Sequence, residues 1–127
     1  MFRFTRQIVN KKNIDFFVKR YKTQKTYLPN NEWLLENNDI YKIGIDKYAS
    51  DQLGELVYID FNISEGDQVN EDEDIVYLES VKAVGTVKAP FNCTIEEINE
   101  ELESNLENIN ENSECEENSW LLKLKKL

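Results

Sequence analysis

One lysine of the chain is set among residues that could present it for covalent modification. Lys82 lies in the segment Glu79-Ser80-Val81-Lys82-Ala83, between two short apolar runs at residues 75–78 and 84–87. Two such runs that close on a few residues predict a β-hairpin whose turn lies near Lys82. A lysine at a hairpin tip stays in water, whereas a catalytic lysine needs desolvation to lower its pKa. The pattern therefore favours a lysine that another enzyme finds and acylates.

This segment resembles the lipoylation motif of the H protein of the glycine cleavage system, a lipoyl carrier family. Further matching segments follow in the family's order: Asn31-Glu32-Trp33, residues 43–57, residues 65–69, Ala89-Pro90 and residues 120–125. The resemblance implies that Lys82 carries (R)-lipoate in amide linkage. It also implies that Glu79, Ser80, Val81 and Ala83 form the hairpin that the lipoyl-attaching enzyme recognises.

The elements that must position this lysine are mostly short strands. Alternating and apolar runs separated by turn residues predict strands over residues 32–36, 40–45, 56–59, 93–98 and 120–127. Asp46 is suited to cap a short helix that ends at Gly54. Asn99 is suited to cap a second helix, with an apolar stripe formed by Leu102, Leu106 and Ile109. The chain is therefore predicted to be mainly β, and the resemblance implies an antiparallel β-sandwich of the lipoyl and biotinyl carrier type (a barrel-sandwich hybrid) with short flanking helices.

Length and charge bound the remaining possibilities. The 127 residues, 40% of them hydrophobic, suffice for one domain, which we assign to residues 26–127. That part of the chain holds 24 acidic residues against seven lysines, a net charge of −17. Such a surface repels phosphate backbones, so nucleic acid is not an expected partner. It either attracts partners with basic docking faces or only keeps the domain soluble.

The residue types needed for several other functions are missing. The chain has no histidine, and its two cysteines, Cys93 and Cys115, do not form a metal-ligand pattern, so a zinc site is not expected. Without a histidine base, a nucleophile elbow or a phosphate-binding glycine loop, the chain is predicted not to be an enzyme. No apolar run has the length of a membrane-spanning helix, so a membrane is not an expected partner.

Residues 1–25 differ sharply from the rest of the chain. They hold eight of the 15 lysines and arginines but only one of the 25 acidic residues, Asp15, and they contain several phenylalanines. This composition predicts an amphipathic mitochondrial transit peptide, and hence a location in the mitochondrial matrix. The alternative is a basic arm that is retained and lies on a membrane surface.

The resemblance implies a carrier function in a multienzyme system. The arm on Lys82 would accept an aminomethyl group from a pyridoxal-phosphate-dependent glycine decarboxylase and deliver it to a tetrahydrofolate-dependent aminomethyltransferase. A dihydrolipoamide dehydrogenase would then reoxidise the arm. In the family, the glutamate that corresponds to Glu32 lies near a cleft into which the loaded arm folds, so Glu32 is predicted to contact the arm. The alternative is that Glu32 only faces solvent.

Some positions depart from the family pattern. Asn31 stands where the family has a histidine, and Thr86 stands where an acidic residue is expected. These changes leave the attachment segment whole but alter the surroundings of a loaded arm. A second hypothesis is therefore a lipoate scaffold that supplies lipoyl groups to other carrier domains and takes little part in glycine cleavage. A biotin carrier is a third, although such domains usually place methionines where Val81 and Ala83 stand here.

Overall fold

The computed structural model describes residues 25–127, which form nine β-strands, two short α-helices and one 3₁₀ turn. The strands are β1 (Lys25–Tyr27), β2 (Glu32–Asn37), β3 (Ile40–Ile45), β4 (Leu56–Phe61), β5 (Gln68–Val69), β6 (Asp74–Ser80), β7 (Val84–Lys88), β8 (Cys93–Ile98) and β9 (Leu122–Lys126). The helices are α1 (Lys47–Leu53) and α2 (Glu107–Glu111), and the 3₁₀ turn spans Glu100–Glu103. The predicted transit peptide lies almost wholly outside the described residues.

The strands build two antiparallel sheets. The larger has the order β1-β2-β3-β9-β8-β5, and the smaller has the order β4-β6-β7. Apolar side chains from both sheets meet in one core, which includes Ile43, Ile75, Val76, Leu78, Val87, Ile95, Leu122 and Leu124. The prediction of a mainly β, antiparallel sandwich with short helices is confirmed.

The larger sheet is buried on both faces around β2. Four consecutive residues of this strand, from Glu32 to Leu35, are buried, so the strand does not show the alternation of a half-exposed sheet. Trp33 and Leu35 form a second apolar cluster with Trp120. The Trp33 indole lies directly over Gly44, where an added Cβ would approach the ring to 2.5 Å. The close approach of a large ring to backbone therefore requires glycine at this position.

The predicted second helix is wrong in its start and in its continuity. Asn99 makes no side-chain cap, because its amide donates to the Trp120 carbonyl at 2.8 Å. The segment instead forms the 3₁₀ turn followed by α2. Leu102 and Ile109 are nevertheless fully buried, so the apolar stripe packs as predicted.

Residues 25–127 contain two cysteines and no disulfide. Both cysteines are free thiols, and burial raises the pKa of the Cys93 thiol to about 11. Within these residues the acidic and cysteine side chains form no group of three that could hold a metal ion. None of the helices in this part of the chain is long and apolar enough to cross a membrane.

Candidate functional site: the hairpin tip and its cleft

Strands β6 and β7 form the predicted hairpin, and a backbone hydrogen bond closes its tip. The N–H of Ser80 donates to the carbonyl of Ala83 at 2.8 Å. Val81 and Lys82 lie beyond this bond and project into solvent, Val81 with 84% of its surface exposed. Lys82 is exposed, as the sequence predicts, while Ala83 is half-buried and packs against the core. The lysine is thus displayed on a backbone that the ladder holds on both sides.

The side chain of Ser80 organises this tip from within. Only 5% of the residue is exposed. Its Oγ accepts hydrogen bonds from the N–H of Lys82 (3.2 Å) and from the N–H of Ala83 (3.0 Å), and its hydroxyl donates to the Leu53 carbonyl (2.5 Å). One hydroxyl therefore satisfies two N–H groups of the turn and fastens the hairpin to the end of α1. A side chain so enclosed contributes to the tip through the shape of the turn.

Helix α1 is built to end beside Lys82. It begins at Asp46, whose carboxylate accepts from the N–H of Ala49 at 2.8 Å, so the predicted N-cap is confirmed. It ends at Gly54, with φ +82° and ψ −161°, a conformation that is essentially restricted to glycine. The stem of Lys82 crosses this glycine, where an added Cβ would lie 3.0 Å from Cε. Gly54 thus ends the helix and leaves room for the lysine.

A cleft of about 190 Å³ adjoins the tip. It lies between α1, the turn before β2 and the edge of β7 that is not paired in the smaller sheet. Its walls include the apolar side chains of Ile45, Leu53, Leu78 and Val87. Its polar lining comes from Asn30, Asn31, Glu32, Tyr48, Gln52 and Thr86. The cleft could therefore enclose a thin, mainly apolar chain with a polar end.

Among the described residues that line this cleft, Glu32 supplies the only carboxylate. The residue is 3% exposed, so the solvent-facing alternative is wrong. Its Oε2 accepts a hydrogen bond of 3.3 Å from the N–H of Lys88, at the unpaired edge of β7. Glu32 thus links the larger sheet to the lysine hairpin.

Burial perturbs the protonation of Glu32. Desolvation, reinforced by the negative charges of Asp46 and Asp72, raises the pKa of Glu32 to about 7. The hydrogen bond from the Lys88 N–H and the positive charge of Lys88 oppose this rise. A cation brought next to the carboxylate would lower its pKa again and favour the ionised form. The site can therefore receive a proton or a cationic group near neutral pH.

Asn31, at the mouth of the cleft, has a backbone role of its own. Its φ of +66° lies in the left-handed region, which asparagine adopts more readily than most residues. Its carbonyl accepts a hydrogen bond from the N–H of Asp46 at 3.0 Å. The turn before β2 is thereby joined to the start of α1, and the two form one wall of the cleft.

The residues of α1 that line the cleft are absent from the sites predicted from the sequence. Tyr48, Gln52 and Leu53 face the cleft, and Gly54 faces Lys82. The helix itself is predicted correctly, but its spacing contains no sign of a binding role. The sequence did contain one sign of a role for this helix. Residues 43–57 match the family without interruption, which is a longer match than a short connecting helix would require.

A sequence model described as the glycine cleavage H-protein matches residues 25–127, which is all of the described chain. This chain belongs to the glycine cleavage H-protein family. The family carries lipoate on a lysine, and its members are carrier components of the glycine cleavage system that do no catalysis themselves.

Individual H proteins are similar over most of their length. The chain is 37% identical over 99 residues to the glycine cleavage system H protein of Staphylococcus carnosus, which covers 78% of this chain and 76% of that protein. It is 39% identical over 100 residues to that of Vibrio atlanticus, with coverage of 78% and 77%. The probable H protein of the archaeon Picrophilus torridus is 38% identical over 99 residues, with coverage of 78% and 77%.

A solved structure supports the fold. The crystal structure of a glycine cleavage system H protein from Mycobacterium marinum superposes with a TM-score of 0.72. It covers 80% of this chain and 83% of that one at 23% sequence identity. The sandwich architecture is therefore shared with a solved H protein.

Proposed function

We propose that this H-protein family member carries (R)-lipoate on Lys82 and shuttles an aminomethyl group between two enzymes. The donor is a pyridoxal-phosphate-dependent glycine decarboxylase, and the acceptor is a tetrahydrofolate-dependent aminomethyltransferase. A dihydrolipoamide dehydrogenase resets the arm. The observation behind the proposal is that Lys82 is exposed on an anchored turn next to a cleft. Among the described residues that line this cleft, Glu32 supplies the one carboxylate.

The residues around Lys82 fit a lipoyl arm. Lys82 is exposed, so an attaching enzyme can reach it, and its stem passes over Gly54 without obstruction. When bound, lipoate supplies a disulfide that can be reduced and can carry a group on sulfur. Acylation removes the charge of Lys82, so an arm that folds into the cleft does not bury the ammonium group of the lysine itself.

The hairpin contributes tethering and presentation. The ladder and the Ser80 network hold the attachment point, while the lysine stem and its extension remain flexible. Tethering confines a cargo to a small volume, which raises its effective concentration for each docked enzyme. Rigid attachment and a flexible arm together allow one site to visit several partners.

Glu32 is proposed to hold the cationic amine of the cargo inside the cleft. A buried carboxylate and an ammonium group form a short, charge-assisted hydrogen bond. The amides of Asn31 and Gln52 line the same cleft and could accept further N–H groups. The apolar walls meanwhile keep water from the loaded arm.

The cellular location is proposed from composition alone. Residues 1–25 have the basic, aromatic-rich, acid-poor composition of a mitochondrial import signal. Processing within residues 1–24 would spare Lys25, which begins β1 and lies over the Trp33 ring at 4.8 Å. Sequencing of the mature N-terminus from the native organism tests this assignment. A mature protein that begins at Met1 would contradict it.

Two linked measurements test the proposed function. First, intact mass and fragmentation across residues 79–88, on protein from lipoate-competent cells, should place one lipoyl group on Lys82. Second, the lipoylated protein is mixed with glycine decarboxylase, glycine and labelled bicarbonate, and exchange into the glycine carboxyl group is followed. We expect exchange that depends on the lipoyl group. Unmodified or biotinylated Lys82 would overturn the carrier assignment.

Thr86 favours the scaffold function as a second candidate. It lines the cleft where the family pattern has an acidic residue, which leaves Glu32 to hold a cation alone. A lipoylated protein without carboxyl exchange would support the scaffold. In that case we expect Thr86→Asp to restore part of the exchange, because it adds a second negative charge to the cleft.

A further inference from the structure

The outward face of the smaller sheet exposes an unusual number of apolar side chains. Among the described residues seven large hydrophobic side chains are exposed, and four of them, Val57, Tyr58, Val81 and Val84, lie on this face or at its tip. Surface apolar residues that occur singly need no explanation, whereas a contiguous patch marks an interaction site. We call this patch the tyrosine face and define it as Val57, Tyr58, Tyr77, Val81 and Val84.

Strand register places these side chains side by side. Tyr58 of β4 pairs with Glu79 of β6, which in turn pairs with Val84 of β7. Tyr77 lies one step along the same face, and its ring meets that of Tyr58 edge to face with centroids 6.5 Å apart. The register shift at Val57 is a bulge, which leaves two consecutive residues of β4 exposed. The fold therefore builds the patch from three strands.

A carboxylate stands in the middle of the tyrosine face. Glu79 is half-buried between Tyr58 and Val84, and it belongs to none of the salt bridges in residues 25–127. Covering this face would desolvate the carboxylate, which is costly unless the partner supplies a cation. The complementary surface is therefore apolar with an arginine or lysine opposite Glu79. Asp60, exposed beside Tyr77 in the register, adds negative charge at the rim.

We propose that the tyrosine face is the docking surface for the enzyme that acylates Lys82, an inference that rests on the proposed function. In that reaction the lysine amine attacks the acyl carbon of lipoate activated by ATP as a mixed anhydride with AMP. The C–N bond forms, the bond to the activating group breaks, and the amine releases a proton. The chemistry takes place at Nζ itself, so the enzyme must cover the hairpin tip at which Lys82 lies. Val81, next to Lys82, makes the patch continuous with the tip.

The enzymes of the carrier cycle have a different requirement. They act at the far end of the arm, which reaches out from the hairpin, so they need not cover the sheet beside Nζ. The tyrosine face also lies on the opposite side of the smaller sheet from the core that Leu78 and Val87 enter. None of its five residues belongs to the hydrophobic core, so packing in the core does not account for the aromatic pair.

The test follows acylation of the full chain by a lipoate–protein ligase with lipoate and ATP, using intact mass to measure initial rates. The variants are Tyr58→Ser, Glu79→Gln and Tyr58→Phe. The control is Tyr27→Ser, because Tyr27 is 55% exposed on the larger sheet and Tyr58 is 50% exposed. We expect Tyr58→Ser and Glu79→Gln to lower kcat/KM for the protein by about five- to tenfold, as for interface residues of moderate weight. Tyr58→Phe and Tyr27→Ser should retain the wild-type value.

The outcomes separate the two proposals. If wild-type protein is not acylated on Lys82, the proposed function fails before the docking surface is tested. If wild type is acylated and Tyr58→Ser and Glu79→Gln match Tyr27→Ser, the docking proposal alone is overturned. Normal acylation combined with a raised KM in carboxyl exchange would assign the face to the decarboxylase and would also overturn it. Circular dichroism and the Tyr58→Phe variant distinguish lost docking from lost folding.

Discussion

The hairpin tip and the cleft hold the two ionisable groups of the site in opposite surroundings. Lys82 is in water at the end of a turn, whereas Glu32 is enclosed and has a raised pKa. The proposed function needs both conditions, since a lysine that other enzymes acylate has to be accessible and a carboxylate that shields a cargo has to be kept from water. The same hairpin serves both, because Lys82 lies at its tip and the Lys88 N–H at its base contacts Glu32.

The comparison also shows how polar groups are used at each end. At the tip, the Ser80 hydroxyl satisfies backbone groups and leaves the lysine free. In the cleft, Glu32 receives one hydrogen bond from the described residues, which the N–H of Lys88 donates at 3.3 Å. At the tip, the Ser80 hydroxyl already has its hydrogen-bond partners, whereas the Glu32 carboxylate in the cleft can accept another donor. Substitutions at the tip and in the cleft test this difference.

The largest effect is expected at Lys82. Lys82→Arg keeps the positive charge but removes the amine that forms the amide, so lipoylation and carboxyl exchange should fall to background. Because the side chain is exposed, the free energy of unfolding should stay within about 0.5 kcal/mol of wild type. Intact mass and urea unfolding provide the measurements. Lys125→Arg, an exposed lysine on β9, is the control, and full lipoylation of Lys82→Arg would rule out the assigned site.

Glu32→Gln should change how stability depends on pH. The pKa of Glu32 is about 7 in the folded state, above its ordinary value of 4.5, so the folded protein binds more protons in that interval. This group therefore lowers the free energy of unfolding as the pH rises from about 4.5 to 7, by roughly 3 kcal/mol in total. Glu32→Gln should remove that contribution.

Urea unfolding at pH 5 and pH 8 measures the effect, with Glu36→Gln as the matched control because Glu36 is exposed on the same strand. The other acidic residues contribute equally to wild type and both variants, so the difference isolates Glu32. Parallel pH profiles of wild type and Glu32→Gln would show that Glu32 has no raised pKa.

Ser80→Ala should loosen the tip. It removes the acceptor of the Lys82 and Ala83 N–H groups and the donor to Leu53, which should cost about 2 kcal/mol in unfolding free energy. Lipoylation should slow, because the turn is no longer held to α1. Chemical denaturation and acylation rates measure the two effects. Ser104→Ala, at an exposed serine, serves as control. A Ser80→Ala protein indistinguishable from this control would show that the network does not hold the turn.

Gly54→Ala should cost about 1–2 kcal/mol in the free energy of unfolding, because alanine at this position has an unfavourable positive φ. The matched variant is Gly66→Ala, since Gly66 has φ +92° with nothing within 4 Å of an added Cβ. Both variants carry backbone strain, but only Gly54→Ala crowds Lys82. Acylation should therefore slow in Gly54→Ala alone. Equal acylation rates in the two variants would show that the stem of Lys82 does not need this space.

Local sequence was sufficient for several elements of the site. The hairpin around Lys82, the Asp46 cap and the end of α1 at Gly54 each depend on residues within a few positions of one another. Short-range hydrogen bonds and glycine's freedom at positive φ determine such features. The second helix was predicted less well, because the Asn99 amide donates to the carbonyl of Trp120, 21 residues away. The residues near Asn99 in the sequence give no sign of that partner.

The sequence by itself determined that this is a small, acidic, mainly β carrier with one displayed lysine, since strand patterning, turn residues and the attachment segment are local properties. Only the tertiary structure decided that Glu32 is buried, that α1 lines the cleft, and that Tyr58, Tyr77 and Val84 share one face. The physical reason is that desolvation and surface continuity arise between strands distant in sequence. Side chains on a strand alternate between its two faces, but tertiary packing decides which other element, if any, covers each face.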